Sequence, residues 1–144
     1  MRLPIEEIEA GEVYVDPVCK GARYKLQALN QGVLIDDDEK LASRLGLVGM
    51  HPLGTDVKLI GRVTGFEYET DGSRGLACVE DVPAGTCFEH DGCVLYKLQS
   101  RNLGVVVDVS PDFDDCRGLV DNICEGTSVT VLGKVIGLSV SDTL

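Results

Sequence analysis

Tryptophan is absent from this chain, aromatic residues reach only 5%, and histidine occurs twice. The core such a sequence can build is aliphatic and β-branched, assembled from Val, Leu and Ile. Positive charge is scarce as well. Thirteen Lys and Arg stand against 24 Asp and Glu, a formal net charge of −11. Affinity for a phosphate backbone comes from Lys and Arg displacing counterions, so direct nucleic-acid binding is not expected and a basic protein partner is. No run approaches the roughly 18 apolar residues needed to cross a bilayer. The opening Met1-Arg2-Leu3-Pro4-Ile5-Glu6-Glu7 lacks the apolar stretch of a signal peptide. No membrane association and a cytoplasmic location are therefore expected.

Motifs are missing too. The chain contains no Gly-x-x-x-x-Gly-Lys-Ser/Thr, Gly-x-Gly-x-x-Gly, His-Glu-x-x-His or Gly-x-Ser-x-Gly, which disfavours most nucleotide-dependent and hydrolytic enzymes. Of six cysteines, five (Cys78, Cys87, Cys93, Cys116 and Cys124) fall in the second half. A symmetric disulfide framework is excluded by that imbalance, and thiols are what a cytosolic protein keeps.

What remains is ordinary for a folded protein: 44% hydrophobic and 26% charged residues over 144 positions, with 17 glycines. Val-rich runs punctuated by Gly favour strands and tight turns. The strongest pattern is internal. Tyr24-Lys25-Leu26-Gln27 recurs as Tyr96-Lys97-Leu98-Gln99, a shift of 72 residues. The same shift carries Asn30 onto Asn102, Gly32-Val33 onto Gly104-Val105, Asp36 onto Asp108, and Gly46-Leu47-Val48 onto Gly118-Leu119-Val120. Gly61, Val63 and Gly65 map onto Gly133, Val135 and Gly137. Upstream the shift becomes 74, pairing Ala10-Gly11 with Ala84-Gly85 and Cys19 with Cys93. Self-similarity at a fixed period predicts two copies of one unit, assigned to 5–72 and 79–144 and joined by the polar segment Thr70-Asp71-Gly72-Ser73-Arg74-Gly75.

Within a copy, Glu12 to Val15, Ala22 to Ala28 and Gly32 to Asp36 read as strands, and the Leu29-Asn30-Gln31-Gly32 turn, which offers residues suited to positive φ, should pair the last two antiparallel. Asp36-Asp37-Asp38-Glu39 through Gly46 reads as a short helix with acids in its first turn and Gly at its end; Ser110-Pro111 starts the matching helix. Val57 to Ile60 and Arg62 to Glu69 close the unit as two further strands, with Gly61 and Gly65 suited to a bulge. The expected fold is mostly β: two tandem five-stranded barrel-like units of OB-like order β-β-β-α-β-β, with an SH3-like barrel as the alternative.

Three sets of side chains offer chemistry. The repeated Tyr-Lys-Leu-Gln strand puts Lys25 and Gln27, and again Lys97 and Gln99, on an outward face, which with Asn30 and Asn102 offers two equivalent polar binding stripes; a half-buried strand whose Tyr24 and Leu26 serve the core is the simpler reading. Asp36, Asp37 and Asp38, matched by Asp112, Asp114 and Asp115, put an acidic knob after the third strand of each copy. It lacks the order of an EF-hand loop, and helix-start acids explain it. Cys87, His90 and Cys93 form a Cys-x-x-His-x-x-Cys spacing that supplies three zinc ligands. Period three is awkward in a strand, where such positions point to opposite faces, and the first copy has Val13, Asp16 and Cys19 there, so buried thiols and a surface His are the simpler reading. No cofactor is expected, zinc being the alternative.

These observations predict a non-enzymatic acidic binding protein, an adaptor, assembly component or inhibitor that engages another protein, including one that itself binds nucleic acid. The alternative is a module that binds a small molecule or zinc at the junction of the copies or at the cysteine cluster.

Overall fold

A computed structural model of the chain describes residues 2–16, 21–36, 44–69, 75–108 and 116–141. It is mostly β, with no α-helix among the described residues. Twelve strands form one curled antiparallel sheet: β1 (Arg2–Pro4), β2 (Glu12–Val15), β3 (Ala22–Lys25), β4 (Gln31–Asp36), β5 (Val48–Met50) and β6 (Asp56–Tyr68), then β7 (Gly75–Cys78), β8 (Thr86–His90), β9 (Cys93–Lys97), β10 (Leu103–Asp108), β11 (Val120–Asn122) and β12 (Ser128–Ser141). The path runs β11-β10-β9-β8-β12-β6-β2-β3-β4-β5, with β1 on β6 and β7 on β12. A single-turn 3-10 helix follows β1 (Ile5–Glu7) and another follows β7 (Val79–Asp81).

Strand placement follows the sequence closely where β-branched residues alternate. The Val57 and Val63 strands, expected to be separate, are one continuous β6. Its pairing with β2 skips Ile60, because Gly61 breaks the register. The same skip occurs at Leu132, before Gly133, where β12 pairs β8. A side chain at 61 would run into the Ser141 backbone carbonyl, which explains the glycine. The turn before β4 differs from expectation: β3 and β4 do pair antiparallel, but Asn30 and Gly32 have no positive φ. Asp91-Gly92, at φ 51° and 78°, makes the positive-φ hairpin instead, between β8 and β9. The short β1, β5, β7 and β11 carry too few residues to show a period.

The two halves share their sheet and their core. Past residue 62, β6 leaves β2 and pairs with the end of β12, Arg62 opposite Ser141 and Tyr68 opposite Val135. One hydrophobic cluster draws Val13, Tyr24, Leu26, Val33 and Ile35 from the first half and Cys87, Tyr96, Leu98, Val105 and Val107 from the second. On the outer face of the sheet lie two smaller clusters, one per half: Ile5, Ile8, Tyr14 and Val57, and Val79, Val82, Phe88, Leu95, Val106, Ile123 and Val129. Both faces of β3 and β9 are thus covered.

Contacts across the halves are reciprocal. Tyr24 donates its hydroxyl to Val106 O (3.3 Å) and Tyr96 donates to Leu34 O (3.2 Å). Gln27 N donates to Gly118 O (3.1 Å) and Gln99 N to Gly46 O (3.2 Å). Gly46 and Gly118 sit at φ +85° and +84°, and a Cβ on either would lie 3.0 Å from a backbone carbonyl of the opposite half. No other residue fits that turn and that approach together.

Candidate functional site

The anticipated polar stripe is split: its two lysines are buried, while its glutamines stay at the surface. Lys25 and Lys97 do not face outward: each is 3% exposed. The reason is that the outer face of their strands is roofed by each half's own small core. Lys25 Nζ donates to Leu26 O (3.1 Å) and Ala28 O (2.8 Å), and Lys97 Nζ donates to Val82 O (3.0 Å). Burial holds both ammonium groups below the ordinary lysine value, opposed by Glu12 near Lys25 and Glu80 near Lys97. Gln27 and Gln99 are exposed yet clamp the halves, donating Nε2 to Arg117 O (3.0 Å) and Leu45 O (2.9 Å). Asn30 Nδ2 donates to His51 O (2.8 Å), and Asn102 Nδ2 to Asn122 Oδ1 (2.7 Å). All six residues have internal partners.

Asp36 ends β4 and is exposed. Asp37, Asp38, Asp112, Asp114 and Asp115 lie outside the described residues, as does most of each expected helix.

Cys87, His90 and Cys93 do not converge. In the β8–β9 hairpin Cys87 pairs with Tyr96 and faces the shared core, while His90 pairs with Cys93 on the opposite side, where Cys93 packs with Phe88 and Leu95. Alternation along a strand forces that split. Cys87 is fully buried, and desolvation pushes its thiol up to about 12. Among the described residues no group of three His, Cys, Asp or Glu side chains is placed to hold a metal ion.

A different constellation stands out inside the first half. Tyr14 at the centre of β2, Asp16 just beyond its end, Arg23 on β3 and His51 just past β5 come together on the outer face of the sheet, all buried. His51 Nδ1 lies 3.3 Å from Asp16 Oδ2, and its Nε2 lies 2.9 Å from the Tyr14 hydroxyl. The carboxylate accepts from Nδ1–H, which leaves Nε2 to accept from the phenol. The rings meet edge-on, 73° apart with centroids at 5.6 Å. Burial, then the Arg23 charge, lowers the His51 pKa against the opposing pull of Asp16. Burial raises that of Tyr14 well above the tyrosine range. Both rings are neutral near pH 7.

No protein-family profile matches this chain. Comparison with curated proteins and with solved structures finds no match either. The meaning of the cluster rests on its own geometry.

That geometry is informative because the second half supplies a control. Where the first half pairs Tyr14 with Arg23 across β2 and β3, the second pairs Phe88 with Leu95 across β8 and β9. His51 N bonds Asn30 O, and Ile123 N bonds Asn102 O. One half fills these three positions with apolar side chains; the other fills them with a phenol, a guanidinium and an imidazole. The 72-residue shift sets His51 opposite Ile123, and no local spacing in the sequence joins His51 to a third group. The missed signal was polar-for-apolar exchange at three matched positions.

Proposed function

We propose that this chain is a non-enzymatic binding protein whose acidic surface engages a basic protein partner. The observation that carries this is the division of charge between inside and outside. Three cations, Arg23, Lys25 and Lys97, are withdrawn into the interior. Among the described residues only Arg2, Lys58, Arg101 and Lys134 are exposed cations, against a dozen exposed carboxylates. Two of those four already pair with acids, Arg2 with Asp56 at 3.3 Å and Arg101 with Glu125 at 3.6 Å. The outer surface is more uniformly negative than composition implies, and a field of one sign steers and selects an oppositely charged partner. Exposed Val48 and Met50 on β5 and Val120 on β11 add apolar contact at the two ends of the sheet.

The same reading takes the halves as copies of one unit, 5–72 and 79–144, fused as a homodimer would associate. Reciprocal tyrosine and glutamine contacts support it, since an isologous interface has that pattern. Sequential pairing of β2 through β5, with β6 returning beside β2, favours the SH3-like alternative over the OB-like order for each unit.

Affinity capture from lysate with the tagged full chain tests the function. Basic proteins retained at about 0.05 M salt and released at about 0.5 M are expected, because screening shortens the Debye length severalfold over that range. Retention that ignores salt, or no basic protein retained at all, overturns it.

A further inference from the structure

The two ends of the sheet are matched by the repeat but finished differently. Among the described residues β5 pairs only with β4 and β11 only with β10, and the two end the sheet path. Leu34 N donates to Leu47 O (2.9 Å) and His51 N to Asn30 O (2.8 Å), so residues 47 and 51 turn these backbone groups toward the body of the sheet. Antiparallel alternation then points the N–H and C=O of Val48 and Met50 outward, to an edge that no described strand covers. Val106 N to Leu119 O and Ile123 N to Asn102 O, both 2.9 Å, set Val120 and Asn122 outward in the same way.

The side chains along the two edges are exchanged. In the second half Arg101 and Glu125 form an ion pair at 3.6 Å, Asn102 Nδ2 donates to Asn122 Oδ1 (2.7 Å), and Asp121 stands exposed in the middle of β11. The 72-residue shift puts Leu29, Leu53, Met50 and Gly49 in the places of Arg101, Glu125, Asn122 and Asp121. Leu29, Met50 and Leu53 are 63%, 69% and 65% exposed, around the Asn30–His51 bond that ties the turn to β5. Charged side chains on an edge strand keep it from pairing with another chain. One half has that protection. The other replaces it with exposed apolar side chains, the mark of an interaction site.

We infer that β5 is a dimerisation edge: two copies of the chain pair their β5 strands antiparallel about a two-fold axis at Gly49. Val48 of one protomer then faces Met50 of its partner, twice, and the outward N–H and C=O groups of both residues close four hydrogen bonds with none left over. An isologous interface requires self-complementarity of this kind. The segment from Leu47 to Gly54 holds no Asp, Glu, Lys or Arg, so two chains of net charge −11 meet where neither presents a carboxylate. The same operation on β11 would set Asp121 against Asp121, like charges directly opposed, so association stops at two copies. The basic partner proposed above then meets the acidic surface of a dimer.

Sedimentation velocity of the full chain from about 1 to 100 μM, in about 0.5 M salt so that charge-driven contacts are screened, tests this. A monomer–dimer equilibrium is expected. The triple variant Leu29→Arg, Met50→Asn and Leu53→Glu installs the second half's residues at three exposed positions. It is expected to keep the circular dichroism of the parent and to weaken the dimer at least about tenfold, because it restores the edge protection of the second half. A chain that stays monomeric throughout, leaving the edge to a different protein, overturns the inference, as does assembly beyond two copies or a dimer that the triple variant leaves unchanged. Should the variant fail to fold, hydrogen exchange of the unmodified protein decides: the Val48 and Met50 amides must gain protection as concentration rises, and exchange that ignores concentration overturns the pairing.

Discussion

At the scale of single residues, burial decides what each ionisable group does. His51 has its pKa lowered chiefly by desolvation. Between that depressed value and the unfolded value of about 6.5, the unfolded chain binds more protons than the native one, so stability falls as pH drops through this window. Replacing His51 with Ile, the residue found at the matched position of the second half, should flatten the profile. Urea midpoints measured from pH 7.5 down to pH 5 check this: the wild-type curve should fall more steeply than that of His51→Ile, and parallel curves would exclude the imidazole as the cause. Thiol reactivity follows the same logic. Cys87 is fully buried and its pKa is raised to about 12, whereas Cys124 is exposed. A thiolate-specific reagent at pH 8 should label Cys124 within the native protein and leave Cys87 untouched until the chain unfolds, as peptide mapping would show.

At the scale of elements, the glycines separate two kinds of constraint. Gly32 on β4 has an extended backbone, yet a Cβ there would collide with the Tyr14 phenol, 2.7 Å from its Cζ and 2.9 Å from its Cε1. Gly32→Ala must displace the hydroxyl that bonds His51, and overpacking of this kind costs about 1–3 kcal/mol. Gly54, in contrast, is at φ +86° with nothing within 4 Å, so Gly54→Ala costs only the left-handed backbone, about 1 kcal/mol. Thermal denaturation should rank Gly32→Ala below Gly54→Ala. Only the former should alter the His51 ring resonances in an NMR spectrum. The reverse order would mean that the Tyr14–Gly32 approach carries little of the packing.

For the whole molecule, the shared cluster makes the halves interdependent. Tyr24 and Tyr96 each donate across to the other half, and β6 and β12 are paired along their last turns of sequence. A two-state transition with equal calorimetric and van't Hoff enthalpies is expected for the full chain. A fragment of residues 1–74 should not fold as a monomer, because Val13, Tyr24, Val33 and Ile35 would face water. Size-exclusion chromatography with circular dichroism checks it: a compact folded monomer would show that the shared core is dispensable, whereas an unfolded chain or a self-associated one agrees with it.

The sequence by itself determined that the protein is β-rich, where the Val-rich strands lie, that β3 and β4 run antiparallel, and that its formal net charge is −11. These are local or compositional properties, written in alternation, in glycine placement and in charge. Only the tertiary structure decided which faces are covered. Lys25 and Lys97 looked exposed because alternation with Tyr24 and Tyr96 marks two faces, and nothing within a strand says that both will be roofed. Cys87, His90 and Cys93 share a ligand-like spacing along the chain, but the hairpin sends Cys87 to one side and His90 and Cys93 to the other. Tyr14, Asp16, Arg23 and His51 are scattered over 38 positions, from 14 to 51 inclusive, and no local spacing links them. Their meeting depends on the order β2, β3, β4 and β5 in the sheet, because burial and hydrogen bonding across strands are set by what lies beside a residue in space.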